Sequence, residues 1–143
     1  MQEEITLPVR DITRFIPQQP PIVMVDELHK SDGVTTVTKF LIKADGLFVE
    51  ENQLKEPGLI ENIAQTAAAG MGYQFVKQEE PIPVGFIGAI KHLQIAQLPQ
   101  VGDTITTQVT VLDTVLDITL IKGEIQLNNT IIASCEMKIV LKK

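Results

Sequence analysis

The residues best suited to chemistry in this 143-residue sequence are Glu61 and Gln65, four positions apart in an apolar segment. Helix positions i and i+4 share one face, so the carboxyl group and the amide would lie side by side. The chemistry open to a carboxylate among apolar neighbours is proton transfer. We therefore interpret Glu61 as the acid of a ligand pocket. The alternative is a carboxylate that reaches solvent or favours the helix dipole.

Three more polar or small-residue features accompany this pair. Gln65 is expected to hydrogen-bond Glu61 or a substrate, with a structural bond across a dimer as the alternative. Asn62 is a further candidate for substrate binding, although a cap or interface residue fits it as well. Gln18 can hydrogen-bond or orient a ligand but cannot titrate, so it cannot act as a base.

The segment 85–88 and the two histidines complete the candidates. Gly85 and Gly88, which flank Phe86, would let a ligand or a helix approach a strand closely, and a β-bulge is compatible with this. His29 and His92 are expected at the surface or at strand ends. Two distant histidines and scattered acids lack the spacing of metal ligands, so we expect neither a metal nor a cofactor.

The elements that must position these residues are one helix and several strands. Residues 57–72 form an apolar helix rich in alanine and glycine, with a helical turn or two over residues 11–16 and a polar loop over residues 50–56 before it. The most enclosed helix positions are expected at Ile60, Ile63, Ala64, Ala67, Met71 and Phe75. Strands are predicted at residues 22–28, 34–42, 84–95, 104–112, 118–127 and 130–141.

Turn signals and side-chain alternation refine this pattern. Residues 31–33 and the pair Asn128 and Asn129 are typical of tight turns between antiparallel strands. In the last strand one face is predicted to carry Ile131, Ala133, Cys135, Met137, Ile139 and Leu141. An antiparallel sheet of about six strands around one long helix follows, in the α+β class. Such a sheet leaves an exposed edge strand, so a homodimer is expected.

Composition limits the class of protein and its partners. A chain of 143 residues fits a single domain, 1–143. A net charge of −6 argues against nucleic acid or an anionic membrane surface as the partner. No signal-peptide pattern or membrane-length apolar run occurs, so we expect a cytoplasmic protein. The lone Cys135 excludes an internal disulfide, fits a reducing compartment and is expected to fill the core.

Three motifs, in this order and spacing, resemble one family. Residues 16–26 resemble the opening segment of the hot-dog-fold 3-hydroxyacyl-ACP dehydratases, and residues 57–65 resemble the Pro-Gly start of their central helix, with its Glu and Gln. Residues 85–90, followed by Val101, Gly102 and Asp103, resemble a later Gly-rich segment and a turn. The resemblance implies a hot-dog fold and an acyl-thioester substrate on carrier protein or coenzyme A.

The resemblance also implies site roles. Glu61 matches the family's catalytic acid, and Gly58 matches the residue whose backbone N–H binds the thioester carbonyl at the helix N-terminus. The family's catalytic histidine has no counterpart near residues 48–50. In this respect the sequence is closest to a divergent dehydratase-like group of aryl polyene and related pigment clusters.

The missing histidine leaves three functions open. The first is dehydration of a 3-hydroxyacyl thioester in fatty-acid or polyketide-type lipid synthesis, with Glu61 as acid and base. The second is a subunit without catalytic activity that binds acyl thioesters or completes a heterodimer. The third is thioester hydrolysis, which needs a helix N-terminus and one carboxylate to activate water. A higher oligomer is also compatible with the pattern.

Overall fold

The computed structural model describes residues 5–142, in which one helix, α1 (Glu56–Lys77), lies against a six-stranded antiparallel sheet. The strands are β1 (Glu27–Ser31), β2 (Thr35–Leu41), β5 (Val84–Ile95), β6 (Thr104–Val115), β7 (Ile118–Leu127) and β8 (Thr130–Lys142), with β3 (Val49–Glu50) and β4 (Gln53–Leu54) as a separate hairpin. The sheet order is β1-β2-β6-β7-β8-β5. This confirms the α+β class and the hot-dog fold. A short 3-10 helix covers Ile12–Arg14.

Helix α1 begins with Pro57 in its first turn, where a missing N–H costs no hydrogen bond, and carries Lys77 in its last turn. It continues beyond Gly72, where the sequence predicted its end. A Cβ added at Gly72 would lie 1.8 Å from the carbonyl oxygen of Phe15, so this glycine permits a close backbone approach and does not end the helix. Among residues 5–142, no helix combines the length and the hydropathy required to cross a membrane.

The helix is enclosed on two sides. One core lies between α1 and the sheet, and the other lies between α1, β1 and the N-terminal segment around Phe15. Ile63 and Ala67 are buried as predicted, but the rest of the expected stripe is only partly buried. The helix is rotated so that its fully enclosed positions also include Leu59, Asn62, Thr66, Ala69, Gly70 and Tyr73. Cys135 is buried in the sheet core, which confirms that prediction.

The strand predicted at residues 22–28 is wrong over most of its length, because β1 begins at Glu27. The backbone of Ile22 and Met24 pairs with side chains of α1. Met24 N–H donates to Gln65 Oε1 at 2.7 Å, and Met24 O accepts from Asn62 Nδ2 at 2.8 Å. These amide side chains satisfy main-chain groups that a neighbouring strand would otherwise pair.

Turns and register account for the remaining differences. The polar loop predicted over residues 50–56 contains the β3–β4 hairpin, whose turn residues Glu51 and Asn52 both have positive φ. Asn128 and Asn129 also have positive φ, as a two-residue hairpin turn between β7 and β8 requires. A register shift at Ile125 and Gln126 places Ile132 in the core and leaves Ile131 exposed, contrary to the predicted face.

Candidate functional site

A cavity of about 270 Å³ lies between α1 and the β8–β5 edge of the sheet. Four of the predicted site residues line it: Gln18, Glu61, Gly85 and Phe86. The other lining residues are Phe15, Pro17, Ala64, Ala68, Met71, Ile82, Pro83, Ile87, Ile139 and Leu141. Since β5 is exposed along most of its length, the cavity opens at the edge of the sheet.

Glu61 and Gln65 form one unit at this cavity. Gln65 Nε2 donates to Glu61 Oε2 at 2.8 Å and to the carbonyl oxygen of Ile22 at 3.0 Å. Gln65 is fully buried, and its Oε1 accepts the N–H of Met24. The amide is therefore held from two sides and orients the carboxylate of Glu61. Glu61 itself is half-buried, so its carboxylate is accessible from the cavity.

Gln18 contributes a polar group whose hydrogen bond is missing. Its Oε1 is buried, and within residues 5–142 it is the buried side-chain atom that finds no partner. An unpaired buried acceptor costs about 1–3 kcal/mol, so the protein tolerates a cost at this point of the cavity wall. The Gln18 amide is suited to bind a ligand that carries a hydroxyl or N–H donor.

Apolar and small side chains form the rest of the wall. Ala64 and Ala68 follow Glu61 along one face of α1, and their short side chains leave the space open. A Cβ added at Gly85 would lie 3.3 Å from Ile139 Cγ2, so glycine at this position keeps side-chain bulk out of the cavity wall. The cavity wall therefore carries two polar side chains, Glu61 and Gln18, among mainly apolar ones. It suits a chain-like ligand with a polar head.

Asn62, Gly58 and Gly88 do not line this cavity. Asn62 is fully buried on the sheet side, where its Oδ1 accepts the hydroxyl of Thr107 at 2.5 Å. The N–H of Gly58 is engaged with the carbonyl oxygen of Lys55 at 2.9 Å. Gly88 occupies a bulge of β5, and a Cβ there would face Val140 on the outer side of the sheet. The structure thus places Gly88 in the expected β-bulge and gives Asn62 buried hydrogen bonds in the core, which is neither the cap nor the interface position named as its alternative.

Both histidines lie at the surface, as predicted, and neither lines the cavity. His29 is 3.2 Å from Glu27, and His92 Nδ1 is 2.6 Å from Glu136 Oε2. Glu61 is consequently the one titratable side chain of the cavity wall among the described residues. In residues 5–142, no three His, Cys, Asp or Glu side chains converge to hold a metal ion.

Several apolar wall residues were not predicted from the sequence. Ile139 and Leu141 were correctly placed on the inner face of the last strand by their alternation, but no pattern indicated that this end of β8 lies beside Glu61. Pro17 directly precedes the predicted site residue Gln18, and Phe15 lies three positions before it. Met71 was assigned to the enclosed helix stripe and not to a ligand cavity.

Solved structures with this architecture include a dehydratase heterocomplex and a hypothetical thioesterase. A chain of the dehydratase heterocomplex ApeI:P from Xenorhabdus doucetiae superposes with a TM-score of 0.87, over 97% of this chain and 93% of that chain, at 16% identity. The Escherichia coli PaaI protein of the phenylacetic acid degradation operon has a TM-score of 0.64, 15% identity, and covers 79% of this chain and 80% of its own.

A hypothetical thioesterase from Streptococcus pneumoniae, solved with coenzyme A, has a TM-score of 0.65, 8% identity, and covers 81% of this chain and 84% of its own. At these identities the likeness shows the fold. No curated protein matches the sequence. Residues 10–143 match the model of the ApeP-like family, described as ApeP dehydratase. With the match extending over nearly the whole sequence, the chain belongs to the ApeP-like dehydratase family.

Proposed function

We propose that this protein dehydrates 3-hydroxyacyl thioesters and that Glu61 is its acid and base. The observation that carries the proposal is the half-buried carboxylate of Glu61, held by Gln65 in the wall of a largely apolar cavity. An acyl chain fits the apolar part of this cavity, and its reacting carbons would then lie beside the carboxylate. Membership of the dehydratase family supports the same reaction.

One carboxyl group can balance this reaction. The Glu61 carboxylate takes the proton from the α carbon, and the electron pair of that C–H bond forms the new double bond. The C–O bond at the β carbon breaks, and the hydroxyl leaves as water after receiving a proton from the same carboxyl group. Gln18 would accept a hydrogen bond from the β-hydroxyl through its unpaired Oε1 once the side chain turns this buried oxygen towards the cavity. Gln65 is a positioning residue, since it acts through Glu61.

A second protein chain would complete the site. Strand β5 is an edge strand whose large apolar side chains are 37–53% exposed at Val84, Phe86, Ile87, Ile90 and Leu93. An exposed apolar edge favours pairing with another strand. Pairing along β5 would cover the cavity opening and bring a partner's side chains towards Glu61.

We propose a dimer on this basis. The chain of ApeI:P is part of a heterocomplex, which supports a heterodimer for this protein beside the homodimer predicted from sequence. In either assembly the partner can supply the second proton-transfer group that the described wall lacks. The proposed setting is cytoplasmic lipid synthesis of the fatty-acid or polyketide type, with the acyl group on carrier protein or coenzyme A.

The single carboxylate also favours a second candidate function. Thioester hydrolysis needs one base to activate water, and Glu61 is the one titratable group of the wall within residues 5–142. The backbone N–H of Gly58, proposed from the family resemblance to bind the thioester carbonyl, is engaged with Lys55 and lies outside this wall. The hydrogen-bond donor to the thioester carbonyl would therefore be another group. This requirement applies equally to dehydration and to hydrolysis.

One experiment separates these functions. The protein is incubated with 3-hydroxyacyl-CoA and with saturated acyl-CoA, and the enoyl product and free thiol are both quantified. We expect interconversion of hydroxyacyl and enoyl thioesters, with a loss of about 10²-fold or more in Glu61→Gln. The matched control is Glu56→Gln, an exposed glutamate of the same helix. Thiol release that depends on Glu61 would establish hydrolysis instead. Binding without either reaction would establish a subunit that only binds the thioester.

A further inference from the structure

A second cavity lies beside the helix. It has a volume of about 170 Å³ and lies between α1 and strands β2, β6 and β7. Ala67 and Gly70 line it from the helix, and Val111 and Ile121 line it from the sheet. The proposed reaction at Glu61 makes no use of this space.

Met71 separates the two cavities. Its side chain belongs to the wall of both, whereas the other wall residues belong to one or the other. The two cavities are also close to each other on the side of the sheet. Ile139 of β8 lines the first cavity, Thr119 of β7 lines the second, and these two residues are direct partners across adjacent strands. The two cavities are therefore separated by the side chain of Met71 and by one residue pair of the sheet.

The side chain at this division belongs to a flexible residue type. Methionine is unbranched and has three rotatable bonds, so it adapts to its surroundings more easily than leucine or isoleucine. Met71 is partly buried and packs against the helix–sheet core without belonging to its fully buried set. Positions 64, 67, 68 and 70 around it are Ala or Gly, so a rotamer change of Met71 meets little bulk on the helix itself.

We propose that Met71 is a gate that determines which acyl chain lengths the protein accepts. With Met71 in place, the chain of a bound thioester ends in the first cavity. With Met71 displaced, the two cavities join and the far end of a longer chain enters the space beneath Val111 and Ile121. The identity of the ligand as an acyl thioester rests on the proposed function. The gate itself rests on the two cavities and the shared residue.

The test measures binding and not turnover. A series of S-alkyl-CoA thioethers of increasing chain length is titrated calorimetrically, since thioethers undergo neither dehydration nor hydrolysis. In the unmodified protein the affinity should rise about three- to fourfold for each methylene added within the first cavity. It should rise less for each further methylene, because a longer chain must displace Met71, and then level off where the joined cavities are full. Val111→Phe enlarges a wall residue and narrows the second cavity, so levelling should occur at a shorter chain. Affinity for the shortest thioethers should stay unchanged.

Two Met71 variants test the gate directly. Met71→Ala removes the division and should extend the levelling point to longer chains, whereas Met71→Leu conserves the volume and should leave it close to the original. Combining Met71→Ala with Val111→Phe should reverse the extension. Thermal unfolding checks that each variant folds, and Val111→Leu replaces Val111→Phe if the larger residue prevents folding.

The outcomes separate the gate from the proposed function. An unchanged levelling point in folded Met71→Ala and Val111→Phe, with dehydration still dependent on Glu61, overturns the gate alone. Failure of every thioether to bind the unmodified protein overturns the gate together with the acyl-thioester function. A shift in opposite directions for the two variants supports the gate.

Discussion

Gln65 Nε2 lies 2.8 Å from Glu61 Oε2, one helical turn apart on α1, while the same amide holds the backbone at Ile22 and Met24. The position of the carboxylate is therefore coupled to the fold of the segment that precedes β1. Gln65, which is fully buried, therefore positions Glu61 and also stabilises the fold of the segment before β1.

Replacing Gln65 should destabilise the protein. Gln65→Met removes the partners of Glu61, of the Ile22 carbonyl and of the Met24 N–H, and leaves a buried donor unpaired. We expect the free energy of unfolding, measured by urea denaturation, to fall by about 2–4 kcal/mol. The control is Gln74→Met on the same helix, whose amide makes only a 3.4 Å contact with Ser31. Equal losses in the two variants would contradict the structural role of Gln65.

Replacing Gln18 should have the opposite effect on stability. Gln18→Met removes an unpaired buried acceptor, so the free energy of unfolding should stay the same or rise by up to about 1 kcal/mol. Binding of an S-(3-hydroxyalkyl)-CoA thioether should weaken by about tenfold, equivalent to one hydrogen bond. A clear destabilisation, or unchanged affinity for the hydroxylated thioether, would count against the proposed role in binding the β-hydroxyl.

Asn62 and Thr107 should be energetically coupled. Their hydrogen bond is buried, so Asn62→Leu or Thr107→Val alone leaves an unpaired group and should cost about 1–3 kcal/mol. The double variant should cost less than the sum, by about 0.5–3 kcal/mol. Urea denaturation of the four proteins measures this coupling, and additive losses would contradict it. Thr107→Val should bind thioethers normally, and weakened binding there would restore Asn62 as a substrate-binding candidate.

Cys135 should make stability dependent on alkaline pH. Burial in the sheet core raises the pKa of its thiol above the ordinary value of 9.0, and the charge of the neighbouring Glu136 carboxylate raises it further. The unfolded chain therefore releases the thiol proton first. As pH rises from the ordinary thiol pKa towards the raised value, the free energy of unfolding should fall by up to about 1.4 kcal/mol per pH unit.

Denaturation of the unmodified protein and of Cys135→Ala across this range checks the effect. The part of the pH dependence that belongs to the thiol should disappear in the variant. Identical slopes for the two proteins would show that the thiol titrates alike in the folded and unfolded chains. Iodoacetamide should also react more slowly with native Cys135 than with the unfolded protein, because the thiolate is the reactive form.

Local patterns were sufficient for most of the framework. Strands β5 and β7 begin and end where their apolar alternation predicts, and Asn128 and Asn129 form the expected turn. The pairing of Glu61 with Gln65 follows from helical spacing alone, since residues four apart meet on one face. Local patterns therefore predict the class of fold, most of its elements in their order, and the central pair of the site.

Only the tertiary structure decided what surrounds that pair. The rotation of α1 against the sheet sends Asn62 into the core and leaves Glu61 at the cavity, although the two are adjacent in sequence. The segment around Met24 is not a strand, because distant side chains satisfy its backbone. Cavity volume, helix rotation and long-range hydrogen bonds depend on contacts between elements far apart in the chain, and no local periodicity encodes them.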